Sequence, residues 1–160
     1  MHARKAWLKG LSPKQNREIP ELNYQRVYQL KADFPQLEII INGGVTTLAQ
    51  SVGHLEHLDG VMVGREAYTN PYLLATVDQQ IYGSTEPVIS REKIAEAFVN
   101  YVDNELSKGT KLQAMTRHIL GLFHGMPGAR QYRRHISENA YTPDATIDVL
   151  TTALAKTTAF

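Results

Sequence analysis

The chain has 160 residues, 42 % of them hydrophobic and 21 % charged, the balance of a globular protein and not of a disordered tail, a collagen or a coiled coil. No run approaches the ~18 consecutive apolar residues of a membrane-spanning helix, and no secretory signal precedes the first motif. The absence of cysteine excludes disulfides, thiolate metal sites and a thiol nucleophile within the chain, and a reducing cytoplasm is the expected setting. The formal net charge of +1 is unevenly spread: residues 1–20 carry +4, residues 111–137 carry +5, and the rest sum to −8. Two basic islands in an acidic body point to a polyanionic partner, against the plainer reading of chance clustering on solvated faces.

In chain order, Val27, Leu30 and Phe34 share a helical face after Tyr24. Leu37, Ile39, Ile40 and Ile41 form a short apolar run ending at Asn42-Gly43-Gly44. Leu48, Val52 and Leu55 return to helical spacing, Gly60 to Gly64 reads as a second strand, and Asn70-Pro71 reads as a helix start capped by Asn. Short apolar runs, each followed by a helix, predict parallel strands buried on both sides, an α/β half whose pattern runs from about residue 20 to 83. Beyond the turn-rich Tyr82 to Pro87, residues 88–156 read as an all-α bundle. Ser90 caps a helix with the stripe Ile94, Phe98, Tyr101, Val102 and Leu106, stopped near Gly109. Leu112, Met115, Ile119, Leu122 and Phe123 predict a second helix, ended by Gly125-Met126-Pro127-Gly128. A third is expected from Ala129 to Ser137 and a fourth after Thr142-Pro143, with Thr151 to Phe160 fraying.

Asn42-Gly43-Gly44 and Gly64-Arg65 each follow a predicted strand directly, 22 residues apart from Asn42 to Gly64. Glycines there let the backbone approach a ligand, and a helix start offers N–H groups to an anion. Arg65 adds a planar, permanently charged fork suited to phosphate. In a (β/α)8 barrel, the loops after the last two strands commonly form a phosphate site; the plainer reading makes these loops tight turns only. His2 is a second candidate, able to orient a ring or contact a phosphate, although a lone histidine is more often structural. Lys14 and Arg17 fall in a polar segment expected to be an exposed loop, where they form a cationic rim with Lys9. His54 and His57 imitate a metal pair, but a buried face of Leu48, Val52 and Leu55 would turn both toward solvent, and no metal site is expected. His118 and His124 receive no chemistry. Arg130, Arg133 and Arg134 stand at i, i+3 and i+4, presenting three guanidinium groups on one side of a helix. Tyr132 and His135 interleave with them, as on RNA-contacting surfaces. The alternative is a solvated helix paired to Glu138.

The run from His2 to Lys14 (His-Ala-Arg-Lys-Ala-Trp-Leu-Lys-Gly-Leu-Ser-Pro-Lys), then Asn16-Arg17-Glu18-Ile19-Pro20, resembles the tRNA-dihydrouridine synthases of the A type. The resemblance continues through Ile41 to Gly44, Asp59 to Ala67 and Asn70-Pro71, resumes at Gly121 to Arg130, and extends to about Ala140. It implies an α/β fold: the carboxyl-terminal part of an FMN-binding (β/α)8 TIM barrel over residues 1–83, then a helical tRNA-binding domain over 88–156. It also implies reduction of the C5=C6 bond of a D-loop uridine, at positions 20/20a. FMN recharged by NADPH would deliver hydride to C6 and a cysteine would protonate C5, with the base taken out of its stack. By motif match, His2, Asn42, Gly43, Gly44, Gly64 and Arg65 fall on flavin-binding positions. Lys14 and Arg17 fall in the segment that contacts tRNA, and the helix bearing Arg130, Arg133 and Arg134 looks like its counterpart across a cationic groove. The family's cysteine, first strands and flavin-side lysine precede the His-Ala-Arg motif, whereas only Met1 precedes it here. The chain is therefore expected to be a carboxyl-terminal portion, inactive alone and holding no catalytic residue or metal. The complete protein is expected to be a cytoplasmic monomer without membrane association. Two alternatives stand: another FMN- or phosphosugar-binding barrel, which would not need the basic islands, and a non-catalytic RNA-binding module with vestigial phosphate loops, which would lack flavin absorbance.

Overall fold

The computed structural model describes residues 1–7 and 9–157; Leu8, inside the opening basic motif, and positions 158–160, the end of the segment expected to fray, lie outside the described residues. Contacts divide the chain into two compact units, Met1–Glu66 and Ala67–Phe160.

The first unit holds α1 (Pro13–Asn16), α2 (Tyr24–Asp33), β1 (Ile40–Asn42), α3 (Leu48–Leu55) and β2 (Gly60–Met62). The strands pair in parallel, with Ile40 opposite Gly60, Ile41 opposite Val61 and Asn42 opposite Met62. The amino-terminal residues add a third parallel partner on the other side of β1, where His2 bridges to Asn42. There the Ala3 N–H donates to the Asn42 carbonyl at 2.7 Å and the Asn42 N–H to Met1 at 2.8 Å. Because side chains alternate along a strand, Ile41 and Val61 share one face while Ile40, Asn42 and Met62 share the other. The first face packs with Ala3, Val27, Ile39 and Leu58 into the core of the unit.

The second face is different. Ile40 is 46 % and Met62 45 % exposed, so the strands are not buried on both sides as their apolar runs predict. The run is also shorter than expected, Leu37 and Phe34 being exposed ahead of it, with Phe34 capping the end of α2. In α3 the inward positions are Leu48, Ser51 and His54, and Val52 is exposed. The helix is thus rotated by about one residue from the predicted face. Two groups make this possible: the Ser51 hydroxyl returns to the Thr47 carbonyl, and His54 finds a partner in Tyr28 at 2.6 Å.

Asp59 ties β2 to what precedes β1. Its carboxylate accepts from the Ile39 N–H at 2.7 Å and from the Lys31 ammonium at 2.8 Å. The Lys31 hydrogen bond, then that from Ile39, holds its pKa below the ordinary 3.8. A depressed carboxylate pKa contributes stability above the unfolded value and loses it as pH falls through the folded one. Asp59→Asn is therefore expected to lower the urea midpoint at pH 7, with the gap from the parent protein closing below pH 3.8. A gap independent of pH would mean that charge has no part in this tie.

The second unit is helical throughout its regular structure. Following α4 (Arg65–Thr69), which starts at the end of the first unit, come a 3-10 turn (Pro71–Thr76), α5 (Val77–Gln80) and α6 (Arg91–Ser107), then α7 (Leu112–Thr116), α8 (Ala129–Asn139) and α9 (Ile147–Leu154). Ser90 caps α6 by accepting from the Lys93 N–H, as its position predicts. Asn70 precedes the 3-10 turn without a side-chain capping bond, so Pro71 alone marks that start. The core gathers Val102 of α6, Leu112 and Met115 of α7, Tyr132 and Ile136 of α8, and Leu150 and Leu154 of α9. Phe123 meets Tyr132 edge to face at 5.0 Å, a favoured aromatic geometry.

Three expectations fail here. Tyr101 belongs to the predicted α6 stripe yet is half exposed, because Val102 beside it takes the inward direction. The predicted second helix stops at Thr116, and the chain continues as tight turns, with i→i−3 bonds from His118, Ile119, Leu122 and His124. Those turns still deliver Leu122 and Phe123 to the core. The carboxyl-terminal segment is packed through Thr157, which is buried and donates its hydroxyl to the Leu154 carbonyl at 2.9 Å.

Candidate functional site

The register of the parallel strands brings the candidate loops together. With Asn42 opposite both His2 and Met62, and paired strands ~4.8 Å apart, Gly43-Gly44 and Val63-Gly64 leave the sheet side by side at its carboxyl edge. His2 and Asn42 share the sheet face with Met62. Gly43 and Gly44 lie at φ +118° and +74°, a conformation open to glycine and costly for other residues. The His2 ring fills the space a Cβ on Gly43 would need, its Cε1 only 2.8 Å from that point. His2 is oriented by the Arg4 N–H, which donates to Nδ1 at 3.0 Å.

Gly64 obeys another rule. Its φ lies outside the left-handed range, and a Cβ there would meet only Met62 Sδ at 3.5 Å, an ordinary contact. Nothing in the local packing requires glycine, so the missing side chain leaves room on the site side. Arg65 follows at the start of α4, exposed. Backbone N–H groups, an arginine and space for a close approach suit an anion such as a phosphate.

Tyr24 supports this edge from behind, a role that the helical pattern of α2 alone does not reveal. Its hydroxyl donates to the Gly43 carbonyl at 3.0 Å, and its ring stands edge-on to His54 with centroids 4.6 Å apart. His54 is buried, contrary to the solvent-facing position expected for it. Burial first, and His57 second, hold its pKa below 6.5, while burial raises that of Tyr28 above 10.0. The Tyr28 hydroxyl and His54 Nδ1 share a hydrogen bond at 2.6 Å. Among the described residues, no three His, Cys, Asp or Glu side chains gather to hold a metal ion.

The first basic island is more ordered than a polar loop. Ser12 and Gln15 form a reciprocal capping box that makes Pro13–Asn16 a helical turn, leaving Lys14 and Arg17 exposed. Asn16 clasps Trp7 at both its N–H and its carbonyl, at 2.8 and 2.9 Å. Trp7 is 49 % exposed in the segment whose sequence carries Lys5, Lys9 and Lys14, an aromatic that the charge pattern did not single out. Arg4 turns inward instead, donating to the carbonyls of Glu18 and Pro20; it closes the loop and is not part of the charged rim.

On α8, Arg130 and Arg134 are exposed and Arg133 is half-buried. Arg134 pairs with Glu138 at 2.7 Å, one turn along, so a fraction of its charge is answered locally. Tyr132 does not interleave with the arginines at the surface. It is fully buried, its hydroxyl donates to the Ile119 carbonyl at 3.3 Å, and burial pushes its phenol pKa up. The positions Ala129, Tyr132, Ile136 and Ala140 form the inward stripe of this segment, a signal present in the sequence beneath the arginines. Among the described residues, no helix is long and apolar enough to cross a membrane.

Residues 1–158 match the model of the dihydrouridine synthase family. The chain is 62 % identical over 156 residues to a protein of Vibrio cholerae named tRNA-dihydrouridine(20/20a) synthase, covering 98 % of this chain and 48 % of that protein. Proteins of the same name from Shewanella oneidensis and Escherichia coli K12 are 61 % and 58 % identical, covering 94 % and 96 % of this chain and 45 % of each relative. The likeness therefore runs well past Ala140, where the motifs thin out, and the chain spans about half the length of the curated relatives it matches. Family match, motif order and the paired glycine loops agree: the chain belongs to the dihydrouridine synthase family.

Proposed function

We propose that the complete protein reduces the C5=C6 bond of uridine in the D-loop of tRNA, at the 20/20a positions named for its relatives, using FMN and NADPH in the cytoplasm. The observation that carries this reading is the register that sets His2, Asn42-Gly43-Gly44 and Gly64-Arg65 along one carboxyl edge of parallel strands, where such folds bind phosphate. The donor set fits a flavin phosphate: the turn leaves Gly44 exposed beyond a buried Gly43, Gly64 leaves a space that packing does not explain, and Arg65 supplies charge. Residues 1–83 would then be the carboxyl-terminal part of a TIM barrel. The second sheet face, with Ile40 and Met62 exposed, would line the barrel interior. Residues 88–156 would form a helical bundle domain for tRNA.

A flavin held here would supply hydride transfer from the nicotinamide to the uridine ring. The residues of this chain do the binding. Arg65 and the loop N–H groups would hold the phosphate, and His2 and Asn42, on the same sheet face, would orient the ring system. Lys14 and Arg17 in one unit, and Arg130, Arg133 and Arg134 in the other, each meet tRNA phosphates. No residue here is assigned the proton for C5, since the chain contains no cysteine.

The test is made on the complete enzyme with unmodified tRNA, NADPH and FMN, scoring dihydrouridine formed. Absence of both product and bound-flavin absorbance would leave only an RNA-binding module. The RNA contacts are tested separately by salt titration. Each lost phosphate contact flattens the slope of log affinity against log salt by about 0.9 in duplex DNA and about 0.7 in single strands. Arg133→Ala with Arg134→Ala is expected to weaken tRNA binding and flatten that slope by about 1–2. Flavin content should stay unchanged. Equal slopes for parent and double variant would make α8 a solvated face, with Arg134 committed to Glu138.

A further inference from the structure

We propose that Tyr24 is a positioning residue for the phosphate of the bound flavin, acting through the Gly43–Gly44 peptide; the inference rests on the reading of that turn given above. Tyr24 opens α2, and its place is set by Asn23, which caps the helix by accepting from the Arg26 N–H at 2.9 Å. From there the hydroxyl donates to the Gly43 carbonyl at 3.0 Å. No peptide bond in the described chain is cis, and in a trans peptide the carbonyl and the following N–H point in opposite directions. Holding the Gly43 carbonyl toward Tyr24 therefore directs the Gly44 N–H away from it. Two consecutive glycines at positive φ resist rotation poorly, because glycine visits both signs of φ with similar ease. Without the hydroxyl, this peptide is free to turn over and present a carbonyl oxygen where an anion needs a donor.

The tyrosine is itself fixed on its far side. Its ring lies against buried His54, and His54 is held by Tyr28 at 2.6 Å. Leu22 shuts the remaining direction: a Cβ on Gly44 would stand 2.4 Å from Leu22 Cδ1 and 2.9 Å from the Tyr24 hydroxyl. A continuous line of contacts thus runs from the core under α3 to the turn at the strand end. Neither Tyr24 nor His54 needs to touch the ligand for this to matter.

The test uses the complete synthase, stripped of flavin and titrated with FMN and with riboflavin, which lacks the phosphate. Tyr24→Phe removes one oxygen and keeps the ring against His54. The ratio of FMN to riboflavin affinity is expected to fall about tenfold, the scale of one hydrogen bond to a charged group. Arg65→Ala is measured beside it. A ratio lowered in Arg65→Ala and unchanged in Tyr24→Phe overturns the role of Tyr24 while the phosphate site stands. Ratios unchanged in both variants overturn the site and the role together.

Discussion

Gly128→Ala is expected to lower the stability of the helical unit by about 2–5 kcal/mol, combining about 1–2 kcal/mol for a side chain at positive φ with about 1–3 kcal/mol for overpacking. Gly128 sits at φ +80° immediately before α8, and a Cβ there would lie 2.1 Å from the Lys156 carbonyl oxygen and 2.7 Å from Thr157 Cα. Both are backbone atoms, so no rotamer change relieves the clash; the segment after α9 must move. Gly125, three residues earlier in the same motif, is the internal control. It has φ +76° and nothing within 4 Å of its Cβ position, so Gly125→Ala should cost only the backbone part. Urea midpoints of the two variants decide the matter. Equal losses would mean that the approach of Lys156 to α8 contributes nothing to folding.

The second large effect concerns the ligand. If the proposed flavin site is right, Gly43→Val in the complete protein should abolish stable flavin retention, because the new side chain must occupy both an unfavourable φ of +118° and the space of the His2 ring. Arg65→Ala should weaken FMN retention by about tenfold to a hundredfold, the range for a charge-assisted hydrogen bond of about 1.5–3 kcal/mol. Flavin per protein after gel filtration, read from absorbance, is the measurement. Full occupancy in both variants would move the phosphate away from this edge.

The alignment of the two candidate loops was easier to read from the sequence than the packing around them. Asn42-Gly43-Gly44 and Gly64-Arg65 stand out because glycine directly after an apolar run has few purposes, and parallel pairing then aligns the two loops. What escaped was the inward side of α3 and the burial of Tyr132 on α8. In α3, steps of three and of four both return to the same face, and the hydrophobic choice, Val52, loses to Ser51 and His54. Those two carry polar atoms that Thr47 and Tyr28 satisfy, and such pairings are invisible before the elements meet. Tyr132 escaped for another reason. Three arginines on one short helix drew the reading toward charge, whereas the spacing of Ala129, Tyr132 and Ile136 already described a buried stripe. Tyr24 could be found only after the turn it braces had been located.

The bridge of Asn42 to His2 on one side and to Met62 on the other also limits how this protein can change. Side chains on a strand alternate with a period of two, so the pairing that sends Ile41 into the core sends Asn42 to the opposite face. A single inserted residue in β1 would exchange them at once, expelling Ile41 and burying an amide. Core and candidate site thus share one phase. Insertions are expected to be tolerated here only in pairs, or in the loops beyond Gly44, where the phase no longer counts.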